Sequence, residues 1–182
     1  GSFPTGVVLS KKKYGIDVRE MGSGNIGATN ITRVFGWYAG SLTFIIDVLK
    51  GIAPLYILRR FFPDEPWMLT STAAALVIGH CFSIYLGFRG GKGVATSLGC
   101  IAVVAPWCAI ISTACYVVLL VLSKISAVGS LGGIVVSLLY LLAVRPPANI
   151  TLLILVISVV VTWKHKDNIR RLVQMVTDKG TS

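Results

Sequence analysis

Acidic residues are scarce in this chain. Asp and Glu number 7 against 17 Lys and Arg over 182 residues, a formal net charge of +10. So few carboxylates leave little from which to build an oxygen-ligand metal site. Histidine is scarcer, at His80 and His165 only. Neither is followed by Asp four or five residues later, which removes the H-x-x-x-x-D acyltransferase motif. No serine nucleophile elbow is present. The four cysteines, Cys81, Cys100, Cys108 and Cys115, lie in apolar runs without a C-x-x-C pair. They read as small buried hydrophobes rather than zinc ligands. No metal and no cofactor is expected. No signal peptide, internal repeat or low-complexity tract is expected from these residues.

Apolar residues make up 54% of the chain, and its mean hydropathy is +0.79. They fall in continuous runs separated by short polar loops, the pattern of a polytopic helical membrane protein. A β-barrel would alternate instead. The length suits one compact all-α bundle, a single domain over 1–182. The cations sit between apolar spans, so anionic headgroups and phosphorylated substrates are the expected partners, not nucleic acid.

Gly1–Ser10 reads as the end of a transmembrane helix, and the expectation is a first helix lacking its first half. Lys11–Lys13 then mark a cytoplasmic boundary. Residues 14–36 read as a polar loop, and helices are expected over 37–58 and 67–86, with a turn at Phe62–Pro66. The stretch 94–122 is ambiguous. It is either one helix or two that turn at Pro106. Two further spans follow, at 127–144 and 148–163, separated by Arg145-Pro-Pro147. Two crossings put Lys11, Lys12, Lys13, Arg19, Arg33, Arg89, Lys92, Lys124, Lys164, Lys166, Arg170, Arg171 and Lys179 on one face. The excess of Lys and Arg on the inner face therefore favours seven helices, with the N-terminus outside and the C-terminus inside. The cost is two spans of roughly 12 and 16 residues, below the usual ~20.

Three polar clusters interrupt the apolar chain: Gly22–Asn30 with Arg33, Gly87–Gly93, and Lys164–Arg171. The first contains G-x-G-x-x-G, and Asp47 lies where a dinucleotide fold would put its acid. No strand precedes it and Asp47 sits in an apolar helix, so the match is spurious. What remains is a phosphate-binding loop or a turn that needs glycine. The second cluster has Leu86 where a nucleotide P-loop needs Gly, and Gly93 where it needs Ser or Thr. Gly90 and Gly91 can still present consecutive N–H groups to an anion beside Lys92. In the third, His165 and Asn168 lie three apart on one helical turn. His can move a proton near neutral pH and Asn can orient a hydroxyl. The plainer reading is an interfacial helix touching headgroups, which fits Arg170 and Arg171. His80 reads as structural, and Asp47 with Lys50 as an ion pair within the membrane. Ser130 falls at the inner end of the sixth helix.

As a set, Gly-Ser-Phe-Pro-Thr-Gly at 1–6, Gly-Ser-Gly-Asn-Ile-Gly-Ala-Thr-Asn at 22–30, Gly-His at 79–80, Gly-Phe-Arg-Gly-Gly-Lys-Gly-Val-Ala-Thr at 87–96 and His-Lys-Asp-Asn-Ile-Arg-Arg-Leu at 165–172 resemble the bacterial membrane glycerol-3-phosphate acyltransferases that use acyl phosphate, the PlsY family. The resemblance covers essentially the whole chain. It implies seven transmembrane helices in the bacterial inner membrane with the site on the cytoplasmic face. It implies transfer of a fatty acyl group from acyl phosphate to the 1-hydroxyl of sn-glycerol 3-phosphate, giving lysophosphatidic acid and phosphate, without acyl-CoA. The catalytic positions it implies are Ser23, Arg33, Lys92, His165 and Asn168. The substrate-binding positions are Gly22, Gly24, Asn25, Thr29, Asn30, Gly90, Gly91, Gly93 and Ser130. The partners are the two phosphorylated substrates and membrane lipid, and the expected state is a monomer.

The chemistry suits these residues. Two phosphorylated substrates require two anion sites, and an acyl phosphate carries its own leaving group. No enzyme nucleophile is then needed, and positioning with electrostatic stabilisation can supply most of the rate. A transporter for phosphate or a phosphorylated metabolite is the alternative, although transporters place polar sites near the midplane. A non-catalytic lipid-binding or scaffold protein leaves the glycine clusters without a role.

Overall fold

The computed structural model describes residues 1–180, apart from the side chains of Val176 and Lys179; Lys179, counted above on the basic face, is therefore not placed by its side chain. The described residues are all-helical. The α-helices are α1 (Thr5–Tyr14), α2 (Ala28–Phe35), α3 (Trp37–Phe61), α4 (Pro66–Cys81), α5 (Val94–Val104), α6 (Pro106–Ser123), α7 (Ser126–Val144), α8 (Ala148–Lys164) and α9 (Lys166–Gly180). Among the described residues, four stretches are long and apolar enough to cross a membrane: Trp37–Phe61, Pro66–Leu86, Pro106–Ser123 and Ser126–Val144. The Ala148–Lys164 and Lys166–Met175 helices, bent by 61° where they meet, make a fifth when the pair is counted as one span.

Local sequence explains most boundaries. Pro106 opens α6 at its first turn, where its missing N–H costs nothing. The residue before it, Ala105, is forced out of helical geometry to φ −143°, ψ 72°. The apolar stretch 94–122 is thus two helices, of 11 and 18 residues. Pro66 starts α4 in the same way, after the turn at 62–65.

Three expectations change. Residues 1–4 are not helical: Pro4 caps α1, the Ser2 carbonyl accepts from Ser83 Oγ, and the Phe3 carbonyl accepts from Lys50 Nζ as well as from Thr5 N–H. Lys11–Lys13 consequently form the last turn of α1, a favourable end for cations. The polar stretch 14–36 contains the amphipathic helix α2, which carries Arg33 and buries Asn30 and Ile31. His165 and Asn168 do not share one helix, because His165 terminates α8 and α9 begins at Lys166.

The main core joins α3, α4, α5, α6 and α8 through Leu55, Val77, Cys81, Cys100, Cys108, Leu153, Ile154 and Ile157. A smaller cluster of Val7, Val18, Ile26, Ile31 and Ala39 fixes α1, the following loop and α2 onto α3. Cys81, Cys100 and Cys108 are buried, as expected of small hydrophobes. Where α3 meets α5, a Cβ added at Gly99 would overlap the Val48 carbonyl, so glycine permits the close approach typical of membrane helix pairs. The outward faces carry exposed Trp107, Ile110, Val118, Leu122, Leu139 and Leu142, a lipid-type surface.

Candidate active site

One cavity of about 940 Å³ runs down the middle of α5, α7 and α8. At one end it is lined by Ser23, Gly24, Asn25, Thr29, Asn30 and Arg33, by Gly90, Lys92 and Gly93, by Ser126 and Ser130, and by His165 and Asn168. Deeper along the same helices the lining is mainly apolar, with Leu98, Ile101, Ala109, Ile134, Ile154, Ile157 and Val161, interspersed with Ser112, Ser137 and Ser158. The order follows helix geometry. On α5 the lining positions Val94, Ser97, Leu98 and Ile101 fall on one face, and on α8 so do Ile154, Ile157, Ser158 and Val161, ending at His165.

The sequence clusters therefore converge. Of the fourteen residues expected at the site, twelve line this cavity, and Gly22 and Gly91 do not. Gly22 lies behind it at φ +60°, close against Asn30 and Val34. Gly91 lies against the ring of His80.

The role expected of Gly90 and Gly91 is corrected. Their amides face inward: Gly90 N–H donates to the Cys81 carbonyl (3.2 Å) and Gly91 N–H to the His80 carbonyl (3.1 Å). Neither is open to an anion. Glycine is needed for proximity, since a Cβ at Gly90 would overlap the His80 carbonyl and one at Gly91 would overlap His80 Nε2. These two bonds pin the loop to the end of α4. Gly93, at φ +85°, then turns the chain into α5. The N-terminus of α5 thereby lies beside Lys92 at the cavity wall, and helix N-termini favour anions.

Asn30 also has a different task. It is 2% exposed, and its amide nitrogen donates to the carbonyls of Met21 (3.0 Å) and Asn25 (2.9 Å) while its Oδ1 accepts from Ser23 N–H (2.8 Å). Asn25 Oδ1 accepts from Gly27 N–H (2.9 Å). Both asparagines shape the loop that presents Ser23. Thr29 reaches α7, its Oγ1 3.2 Å from Ser126 Oγ, which is also 3.1 Å from the Tyr116 hydroxyl. Ser130 Oγ donates to the Ser126 carbonyl, 3.0 Å away.

Lys92 is half-buried, and its Nζ donates to Asn168 Oδ1. Burial, reinforced by the charges of Arg171 and Arg33 and opposed by Asp167, pushes the Lys92 ammonium down to about 8. His165 is 2% exposed. Its Nδ1 lies 2.7 Å from the Val161 carbonyl, which can only accept, so Nδ1 carries the proton. In the neutral ring Nε2 is then the free acceptor. Lys164 instead donates to the Cys81 carbonyl (2.8 Å) and lies over the rings of Phe82 and Trp163.

Beneath the loop, Asp47 is 2% exposed and pairs with Lys50 at 2.7 Å, as the sequence spacing predicts. Its side chain also accepts from Thr5 Oγ1 (2.8 Å), and its backbone carbonyl from Thr96 Oγ1 (3.1 Å). Thr96 Oγ1 is 3.3 Å from His80 Nδ1. His80 supports the loop through its own carbonyl, and it also lines the cavity.

Sequence reasoning missed several lining residues. Tyr116, Ser126 and Lys124 come from the α6–α7 hairpin, which has no glycine–cation cluster to mark it. Arg171, assigned from sequence to headgroups, also lines the cavity. Its position seven residues after Lys164 on a bent helix gave no signal of that. No group of three or more His, Cys, Asp and Glu side chains is placed to hold a metal among the described residues.

Comparison with known proteins agrees with this geometry. The family model described as glycerol-3-phosphate acyltransferase matches residues 1–175. A glycerol-3-phosphate acyltransferase of Anaeromyxobacter sp. (strain K) is 44% identical over 179 residues, covering 96% of this chain and 89% of its own. That of Aquifex aeolicus (strain VF5) is 38% identical over 172 residues, covering 94% and 89%. The crystal structure of PlsY, an integral membrane glycerol 3-phosphate acyltransferase, in its glycerol 3-phosphate form superposes with a TM-score of 0.87 at 34% identity, covering 95% of this chain and 88% of that one. Its lysophosphatidic acid form gives 0.87 at 36% identity, covering 95% and 86%. From its polar clusters, its helical membrane architecture and these relatives alike, the chain belongs to the glycerol-3-phosphate acyltransferase family, PlsY type.

Proposed function

We propose that this chain transfers a fatty acyl group from acyl phosphate to the 1-hydroxyl of sn-glycerol 3-phosphate, releasing phosphate and lysophosphatidic acid. The observation that carries this reading is the single cavity whose cationic end, with Arg33, Lys92 and Arg171, continues into an apolar run of Leu98, Ile101, Ile154 and Ile157. Phosphate groups suit the first part and an acyl chain the second. At about 940 Å³ the cavity is at the upper end of the ~300–1,000 Å³ usual for ligand pockets.

The reaction is direct attack on the acyl carbon. Lys92 and the N-terminus of α5 hold one phosphate, while Arg33 and Ser23 hold the other substrate. Asn168, hydrogen-bonded to Lys92, and Ser130 orient the glycerol moiety. As the hydroxyl oxygen attacks, its proton passes to a substrate phosphate oxygen or to His165 Nε2. The anhydride bond breaks with its electrons on the departing phosphate. Fixed cations that face developing negative charge are an effective form of catalysis.

In this reading α3, α4, α5, α6, α7 and α8 cross the bacterial inner membrane, and α1, ten residues long, spans part of it as the first of seven helices, directed from outside to inside, with the cavity mouth at the cytoplasmic face. Support comes from Gly93 and Lys124, which stand at opposite ends of the α5–α6 pair yet line the same cavity. The chain functions as one domain and as a monomer.

The test is phosphate release by the lipid-reconstituted protein given palmitoyl phosphate, with and without glycerol 3-phosphate, and with palmitoyl-CoA as the control donor. Release that requires glycerol 3-phosphate, forms lysophosphatidic acid and fails with palmitoyl-CoA is expected. No turnover by folded protein, together with glycerol 3-phosphate uptake by sealed vesicles, would replace the enzyme with a transporter.

A further inference from the structure

Two adjacent hydroxyls on α5 have opposite fates. Thr96 Oγ1 points into the protein and is bonded to the Asp47 carbonyl. Ser97 lines the cavity and is 5% exposed, yet its Oγ is a buried polar atom with no hydrogen-bond partner. A buried hydroxyl left unpaired costs about 1–3 kcal/mol, so its retention calls for a partner that arrives from elsewhere. Its position says which. Ser97 is four residues after Gly93 and three after Val94, one turn (~5.4 Å) below the start of α5 on the cavity face. Four residues further on that face is Ile101, in the apolar part. Ser97 therefore stands where the cationic end gives way to the apolar run.

An acyl phosphate laid along this wall has its phosphate at Lys92 and the α5 N-terminus, and its hydrocarbon against Leu98 and Ile101. Between them lie the bridging oxygen, which leaves with phosphate, and the acyl carbonyl oxygen, the better hydrogen-bond acceptor and the one that takes on charge during attack. We infer that Ser97 Oγ–H donates a hydrogen bond to the acyl carbonyl oxygen of the donor substrate, and so is a catalytic residue of the transfer step. This rests on the proposed function, since it presumes that an acyl phosphate occupies the cavity. When the glycerol hydroxyl oxygen bonds to the acyl carbon, the carbonyl oxygen takes on negative charge. That charge collapses as the carbon–oxygen bond to phosphate breaks and phosphate leaves with the electron pair. Ser97 keeps its proton throughout, and its hydrogen bond strengthens while the charge is present. On the cavity wall formed by α5, Leu98 and Ile101 flank the serine and offer no donor of their own.

The variant Ser97→Ala separates this role from a structural one. Because the hydroxyl has no protein partner, its loss should leave the melting temperature unchanged or higher, whereas kcat with palmitoyl phosphate should fall about 100-fold, the lower end for losing one oxyanion donor. The KM for glycerol 3-phosphate should stay within about twofold, because uniform binding of that substrate is untouched. Ser97→Cys, with a weaker S–H donor in nearly the same volume, should recover part of the rate. The direct readout is isotope-edited infrared spectroscopy of a bound non-hydrolysable palmitoyl phosphonate labelled with ¹³C at its carbonyl. Its stretch should lie at lower frequency in the wild type than in Ser97→Ala. An equal carbonyl frequency in the two proteins, or kcat of Ser97→Ala within about threefold of wild type, would overturn the inference. The infrared comparison needs no turnover, so a failure of the wild type to acylate glycerol 3-phosphate would strike the proposed function while the Ser97 contact is still decided.

Discussion

The charge on Lys92 offers the sharpest quantitative test of the candidate site. Its ammonium is pushed from an ordinary 10.5 to about 8, chiefly by burial and then by Arg171. If that charge binds phosphate, the competent form of the free enzyme is lost as pH rises through about 8. At pH 7 about 90% of the enzyme carries the charge, and at pH 9 about 9%, so kcat/KM for palmitoyl phosphate should drop about tenfold between them. An unperturbed lysine would change by less than ~5% over that interval. Phosphate bound beside the ammonium favours the charged form, so the alkaline limb of kcat should lie at higher pH than that of kcat/KM. The assay is initial phosphate release in nanodiscs from pH 6.5 to 9.5, with the enzyme returned to pH 7 as a control for inactivation. Lys92→Arg keeps a charge that does not titrate here, so it should flatten the alkaline limb whatever its plateau. Lys92→Ala should lower kcat/KM at pH 7 by at least ~100-fold. A wild-type profile flat to pH 9.5, or an alkaline limb that persists in Lys92→Arg, would refute the reasoning.

Three further outcomes are expected. Gly91→Ala places a methyl group against the His80 ring and should destabilise the loop by about 1–3 kcal/mol, seen as a lower melting temperature with a raised KM for palmitoyl phosphate; a silent substitution would show that the loop is not held by close packing. Asn30→Ala leaves the Ser23 amide without its acceptor and removes a donor from the Met21 and Asn25 carbonyls, and it should cost about 1–3 kcal/mol in thermal unfolding, together with activity. For topology, a membrane-impermeant maleimide applied to sealed right-side-out cells, in a Cys115→Ser background, should label Arg145→Cys but reach Lys124→Cys only after permeabilisation; the reverse result would mean that residues 94–122 cross once and not twice.

Helices α3, α4, α7 and α8 lie within a few residues of where apolar run lengths put them, and the Asp47–Lys50 pair follows from i,i+3 spacing in one helix. Such features are local, so composition and periodicity report them. Helix α2 was not legible, because a short amphipathic segment between glycines has the same composition as a polar loop. The bend at His165 was hidden for a similar reason: nothing in Lys164–Asn168 lowers helix propensity enough to mark it.

That the chain is a helical membrane protein with cationic, glycine-rich loops was legible from its residues alone, since apolar runs and clustered cations act through transfer free energy and charge, which need no partner to be read. The sequence also supplied the residues, as twelve of the fourteen anticipated lie around one cavity. What each of them touches came from the packing of the helices. Gly90 and Gly91 turned from anion donors into a packed hinge because the end of α4, distant in sequence, takes their amides. Asn30 became a scaffold because three backbone groups of the preceding loop surround it. Ser97, indistinguishable in the sequence from any serine of an apolar helix, became conspicuous because α5 turns Thr96 into the core and leaves its neighbour facing the cavity unpaired. A hydrogen bond is a property of two groups and their separation, and that separation is set by the packing of helices far apart along the chain.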